Sequence, residues 1–333
     1  MGLVRASNRA TSRPAPAPPA WRGNPGEPQT RHLYESDVGI LGEFRCPTGC
    51  KAWEVENTIG PMATLAFARD PVAIHQADHD SVIATPNEAM LYNPNQVYRR
   101  RVVDPQGDRC EFLGLRNEIL AEIVAQHDPR AADDPERPLK WAWASITSGL
   151  YLAQRSLYHH VRAAASDPPT VRLDRLLVDE CIISIADSVV ALAARGHARP
   201  ARRAATARDH RVWIEGAKDY LARNYRRSLS LEEVADAVGV SLFHLCRLFK
   251  AHAGTTVHDY VRSLRVRAAL EGLADPALPI GHVADELGFC NQSHFTRAFR
   301  SEYALTPTQV RRALREGIAE QPLLHTPPPD TSN

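Results

Sequence analysis

The stretch EVADAVGVSLFHLCRLFK, Glu233 to Lys250, returns in altered form as HVADELGFCNQSHFTRAFR, His282 to Arg300. Val234, Ala235, Asp236 and Gly239 recur 49 residues later as Val283, Ala284, Asp285 and Gly288. His244, Arg247, Phe249, Thr256 and Arg262 recur 50 residues later as His294, Arg297, Phe299, Thr306 and Arg312, so one residue is inserted just after the glycine. Each copy reads as a short helix with Val and Ala on one side, a glycine able to take the left-handed conformation that closes a helix, a turn and a second helix. Ser230-Leu-Glu-Glu233 is a capping-box pattern at the start of the first copy. The second copy has Pro279 there and lacks the box.

Three- and four-residue spacing sorts the faces of each second helix. Leu245 and Phe249 point inward in the first copy, and Phe295 and Phe299 in the second. Phe243, Cys246, Arg247 and Lys250 then share an outer face, as do Ser293, Thr296, Arg297 and Arg300. A helix fits the major groove of B-DNA, where an arginine can hold guanine O6 and N7 with two bonds. Arg247 and Arg297 are the candidates for that role, with His294 one turn from Arg297. Lys250 and Arg300 suit phosphate better than bases. Phe243 and Cys246 are as compatible with packing as with base reading; a solvated charge is the lesser alternative for Arg247, and helix N-caps are an alternative for Ser241 and Asn291. His244 and Gln292 complete the candidate DNA-binding set.

Working outward, residues 257–273 read as one helix, long enough at about 25 Å to hold two reading helices roughly one turn of DNA apart. Residues 209–316 carry fifteen Lys and Arg against thirteen Asp and Glu, so binding there depends on a localised basic face. Upstream, apolar runs centre near Leu65, Val72, Ile83, Leu91, Val102 and Leu113, separated by turn formers such as Asp70-Pro71 and Asn93-Pro94-Asn95. That spacing predicts an antiparallel sandwich or small barrel. The period then changes to three and four at Ile146, Leu150, Ala153, Leu157 and Val161, and a second helix runs from about 172 to 195, apolar on much of its circumference. One side of it can cover the β domain and the other a second subunit. The expected fold class is α+β, divided into a tail (1–31), a β-rich domain with two helices (32–195), a basic linker (196–208), a helical domain (209–316) and a second tail (317–333).

The whole chain has 333 residues, 40 Lys and Arg against 39 Asp and Glu, and six cysteines. The near-neutral balance excludes a histone-like polycation. Six cysteines in so long a chain are no disulfide framework, and no run of apolar residues is long enough for a transmembrane helix. A cytoplasmic protein without membrane contact is expected.

Residues from about 212 to 315 resemble the DNA-binding domain of the AraC/XylS family of bacterial transcription regulators. The resemblance is carried by SLEEVADAVGVSLFHLCRLFK (230–250), YVRSLRVRAAL (260–270), PIGHVADELGFCNQSHFTRAFR (279–300) with its Gly288-Phe289, and the closing Thr306-Pro307 with Arg311. It implies a seven-helix domain whose two reading helices enter adjacent major grooves of one promoter site. Phe243, Cys246, Arg247, His294 and Arg297 would stand where such proteins commonly meet bases. Ala304 departs from the glycine that family members often carry before Thr-Pro. Cys246 replaces a longer polar side chain, and its thiol is a weak donor. The β-rich segment is similar to the family's cupin-like sensory domain, implying a small-molecule effector inside it, a homodimer and RNA polymerase as a partner.

Other chemistry finds less support. His75 and His79, with Asp78 and Asp80 nearby, suggest a metal pair, but no third histidine follows in a later strand. Cys46 and Cys50 form a Cys-x3-Cys pair without the two further cysteines that a zinc site needs, leaving a thiol sensor or free buried cysteines. There is no phosphate-cradling Gly-rich motif. No cofactor and no catalytic set are expected. The runner-up is a cupin-type metalloenzyme fused to a DNA-binding module; a third reading is a helical repeat that binds protein.

Overall fold

The computed structural model describes residues 21–24, 26–77, 79–129, 131, 134, 136–166, 171–197 and 204–316. The expected tail 317–333, the first twenty residues of the other tail and residues 198–203 of the linker lie outside them. Ten strands come first: β1 (Gln29–Glu35), β2 (Gly39–Cys46), β3 (Asn57–Thr58), β4 (Ala63–Ala68), β5 (Val72–Gln76), β6 (Val82–Ala84), β7 (Glu88–Tyr92), β8 (Val97–Val102), β9 (Asp108–Leu115) and, beyond helix α1 (Asn117–His127), β10 (Trp143–Ser145). Helices α2 (Ser148–Ala164), α3 (Arg175–His197) and α4 (Ala204–Asn224) follow, then α5 (Leu231–Val238), α6 (Leu242–Ala253), α7 (Val257–Ala274), α8 (Ile280–Glu286), α9 (Gln292–Tyr303) and α10 (Pro307–Glu316).

The strands make two antiparallel sheets, β1-β2-β9-β4-β7-β10 and β3-β8-β5-β6, with a cavity between them. Neither sheet closes on itself, so the barrel alternative is corrected to a pair of open sheets. Two boundaries also shift. β1 starts at Gln29, inside the expected tail, because Arg31 pairs with Glu43 on β2 and both Arg31 and Arg45 stack on Trp21. Helix α4 starts at Ala204, inside the expected linker. A third helix, α1, joins the two expected beside the sheets. His127 at its end meets Asp187 of α3 at 2.7 Å.

One buried charge cluster ties α2 to the six-stranded sheet. Glu111 of β9, 1 % exposed, accepts from Gln154 at 2.7 Å and pairs with Arg69, Arg155 and Arg162. Burial alone would raise its pKa; the arginines, Arg155 foremost, and the Gln154 bond hold it below the ordinary carboxyl range.

The sheets and the helical half share one apolar core. The turn between β6 and β7 is caught between α4 and α7. Thr85 Oγ1 lies 3.2 Å from the Tyr260 hydroxyl, which donates to Glu88 at 3.4 Å. Lys218 of α4, 3 % exposed, sits 3.2 Å from Glu88 and 3.3 Å from Glu215. Burial opposes its charge, but Glu215 and Glu88 keep it protonated well above the usual lysine range. Arg267 of α7 donates to the carbonyls of Pro86 (2.6 Å) and Ile146 (2.9 Å).

Candidate nucleic-acid interface

Capping chemistry sets the ends of each helix pair. The Ser230 hydroxyl accepts from Glu233 N at 3.1 Å while the Glu233 carboxylate accepts from Ser230 N at 3.0 Å, a complete capping box on α5. Gly239 closes α5 at φ +69°. Ser241 caps α6 by accepting from His244 N at 3.3 Å. In the second unit Pro279 starts α8 without a side-chain cap, and Gly288 follows at φ +73°. A Cβ at Gly288 would stand 2.4 Å from the Arg226 carbonyl, so this position needs glycine for space as well as conformation. Asn291 caps α9, accepting from His294 N at 2.8 Å. Ser241 and Asn291 therefore use their side-chain oxygens on their own helices.

Packing then fixes which faces look outward. Leu245, Phe249, Phe295 and Phe299 are buried, each 1 % exposed or less. Arg247 and Lys250 on α6, and Gln292, Ser293, His294, Arg297 and Arg300 on α9, are exposed, as is Asn291 ahead of it. Among the described residues no carboxylate pairs with Arg247, Lys250, Arg297 or Arg300. Gln292, Ser293, Thr296, Arg297, Arg300 and Ser301 line one shallow groove along α9. Thr296, placed on the outer face by its spacing, lines this groove, and Ser301 extends the set; helical spacing from Arg297 is the signal for Ser301. Phe243 is 75 % exposed at the start of α6, which excludes a packing role within the chain. Cys246 is half-buried.

His244 behaves differently from its repeat partner. Its ring lies edge-on to Trp213 (5.4 Å) and His210 (5.8 Å) of α4 and is half-buried. The chain thus turns His244, a member of the candidate DNA-binding set, toward α4. His294 is exposed, 3.2 Å from Cys290 Sγ and edge-on to Phe289.

Two arginines of α7, Arg265 and Arg267, are structural. Arg265 donates to the carbonyls of Tyr225 (2.6 Å), Arg227 (2.7 Å) and Gly288 (3.0 Å), binding the strut to the loop that leads into α5 and to the turn between α8 and α9. At 18 residues α7 spans about 27 Å.

Among the described residues the side chains of the alternative chemistries do not come together. His75 is exposed on β5 in register with Arg99, and Asp78 lies outside the described residues. Among the described residues no three His, Cys, Asp or Glu side chains come together to hold a metal ion. Cys46 and Cys50 are buried; burial first, and then contact with Cys50, push the Cys46 thiol up to about 12, far from a reactive thiolate.

Residues 234–313 match a helix-turn-helix domain family. Over 114 residues the chain is 31 % identical to the multiple antibiotic resistance protein MarA of Escherichia coli K12, covering 34 % of this chain and 88 % of that protein. It is 37 % identical over 106 residues to the right origin-binding protein of the same strain, 32 % of this chain and 34 % of the relative, so it spans about a third of that protein's length. The bifunctional transcriptional activator/DNA repair enzyme AdaA of Bacillus subtilis strain 168 is 25 % identical over 189 residues, 56 % of this chain and 89 % of AdaA.

Proposed function

Because the chain belongs to the AraC/XylS family of DNA-binding transcription regulators, we propose that α6 and α9 enter successive major grooves of one promoter site, with Arg247 and Arg297 reading bases. Lys250 and Arg300 meet phosphate, and Gln292, Ser293, Thr296 and His294 lie along the same duplex. His244 positions α6 against α4. The observation that carries this reading is the pair of exposed arginines, fifty residues apart, at one position of two separately capped helices. An arginine held in two bonds to guanine contributes about 1–3 kcal/mol of discrimination.

The test is a titration of wild type, Arg247→Ala and Arg297→Ala against a site mapped in the native host and against random DNA. Each variant is expected to lose about 1–3 kcal/mol at the mapped site and little on random sequence. Equal loss on both would make the arginine a phosphate contact and sink the base-reading role.

The remaining assignments extend this. The two-sheet unit is proposed to be cupin-like and to take a small-molecule effector in its inter-sheet cavity, with the sensing and DNA-binding units divided near 196–208. A homodimer through α3 is supported by Leu176 and Ile183, exposed seven residues apart on one face. RNA polymerase is the expected protein partner at the promoter.

A further inference from the structure

The cavity between the sheets has a volume of about 560 Å³, within the range of small-molecule sites. Its walls are mostly apolar, from Phe44, Met62, Val72, Ile74, Met90 and Phe112. Two charged residues line it, Arg100 of β8 and Asp108 of β9, each 5 % exposed. Arg100 Nη1 donates to Asp108 Oδ2 at 3.0 Å, so their charges cancel. Arg100 is held further by Asn57 (3.0 Å), by the Tyr98 hydroxyl (2.7 Å) and by the Phe44 ring 4.6 Å away.

Among the described residues this fixation leaves two buried polar atoms without a partner: Arg100 Nε, a donor, and Asp108 Oδ1, an acceptor. A buried polar atom without a hydrogen bond is costly, so each marks a place for a ligand group. The other ionisable lining groups supply no compensating charge near neutral pH. Burial lowers the pKa of His32, and raises those of Cys110, Tyr92 and Tyr98. Burial also pushes Asp108 up to about 6, against the opposing pull of Arg100.

We propose that the effector is an uncharged, mainly apolar molecule bearing a hydroxyl group that gives a hydrogen bond to Asp108 and accepts one from Arg100. A carboxylate or an ammonium would bring an unpaired charge into a site whose own charges already cancel. This inference rests on the cavity being the effector site, and the experiment separates the two.

The purified full chain is titrated calorimetrically with 2-naphthylmethanol, 2-naphthoate and 2-naphthylmethylammonium, which share a ring system and differ in the charge of the head group. The alcohol is expected to bind at least about tenfold more tightly than either ion, because an unpaired buried charge is disfavoured. Ala66→Phe, which fills the cavity from β4, should abolish binding while keeping the thermal transition of the fold. Asp108→Asn should weaken the alcohol selectively. Tighter binding of either ion overturns the hydroxyl inference alone. Binding of the alcohol that survives Ala66→Phe, or no binding by any of the three, overturns the cavity as the effector site.

Discussion

At Ala304 the backbone sits at φ +55°, where a residue with a Cβ is strained. It closes α9 at the place where Gly254 closes α6 at φ +73°. Left-handed backbone costs a non-glycine residue about 1–2 kcal/mol. Ala304→Gly is therefore expected to raise stability by about 1 kcal/mol, less the added freedom of the unfolded chain. An unchanged or lower denaturation midpoint would contradict that account. The arginines of the outer face differ in kind from those of the strut, although the sequence spells them alike. Arg297 is exposed with no ion pair among the described residues, whereas Arg265 and Arg267 have given their donors to backbone carbonyls. Only contact with neighbours separates a guanidinium open to DNA from one that braces a helix.

Helix α2 shows how an element is held by charge as well as by its apolar stripe. Gln154, Arg155 and Arg162 all reach Glu111 on the sheet. Glu111→Gln removes the carboxylate shared by Arg69, Arg155 and Arg162; Glu271 remains beside the first two and Glu43 beside the third, so a loss toward the low end of about 3–5 kcal/mol is expected. The pH dependence has a definite sign. A carboxyl whose pKa is depressed in the folded state contributes stability that is present above its unfolded pKa and is lost as pH falls through the folded one. The difference in stability between wild type and Glu111→Gln should thus be full near neutral pH and shrink below about pH 4. A difference that stays constant from neutral to acid would show that Glu111 acts by packing alone. The caps of the two helix pairs make a contrasting prediction. Ser230→Ala should cost about 1 kcal/mol by removing the box on α5, while Pro279 at the start of α8 has no side-chain cap to lose.

Across the whole molecule, the turn between β6 and β7 is the joint. Ala84 and Met90 face the inter-sheet cavity, and the residues between them, Thr85 to Glu88, are buried against Lys218, Tyr260 and Arg267 of the helical half. One buried turn thus touches both the cavity wall and α7, the helix between the two helix pairs. Lys218→Met would strand Glu88 and Glu215 without their cation, and a loss of about 3–5 kcal/mol is expected, concentrated at this joint. Hydrogen exchange should show faster opening in residues 83–88 and 257–267, with the far strands β1 and β2 unchanged. Uniformly faster exchange over the whole chain would argue against a local joint. Binding to DNA should weaken steeply with added salt, since phosphate contacts release counterions; a flat response would contradict the exposed basic face.

Much of this was legible in the order of residues. The repeat, its glycines and its inward phenylalanines specify two helix pairs, because helical periodicity and left-handed closure are local properties of the chain. Strands β4 to β9 each contain one of the six apolar runs, since turn formers cut the chain between them. Other features were not local. β1 and β2 are rich in charged and small residues; their strands are set by pairing with each other and with β9, where Glu43 meets Arg31 of β1 and Arg162 of α2. β10 is three residues long and exists through its pairing with β7. The turn of His244 toward α4 depends on Trp213, 31 residues earlier. Burial of Lys218 and Glu88, and the open atoms of Arg100 and Asp108, arise from segments far apart in sequence. The sequence alone determined that the chain carries two helix-turn-helix units able to present arginines, since period and capping act within a few residues. Tertiary structure alone decided which charges remain free, which are consumed in joints and where a cavity lies, because burial is a property of what packs against a residue and is not written in the residue itself.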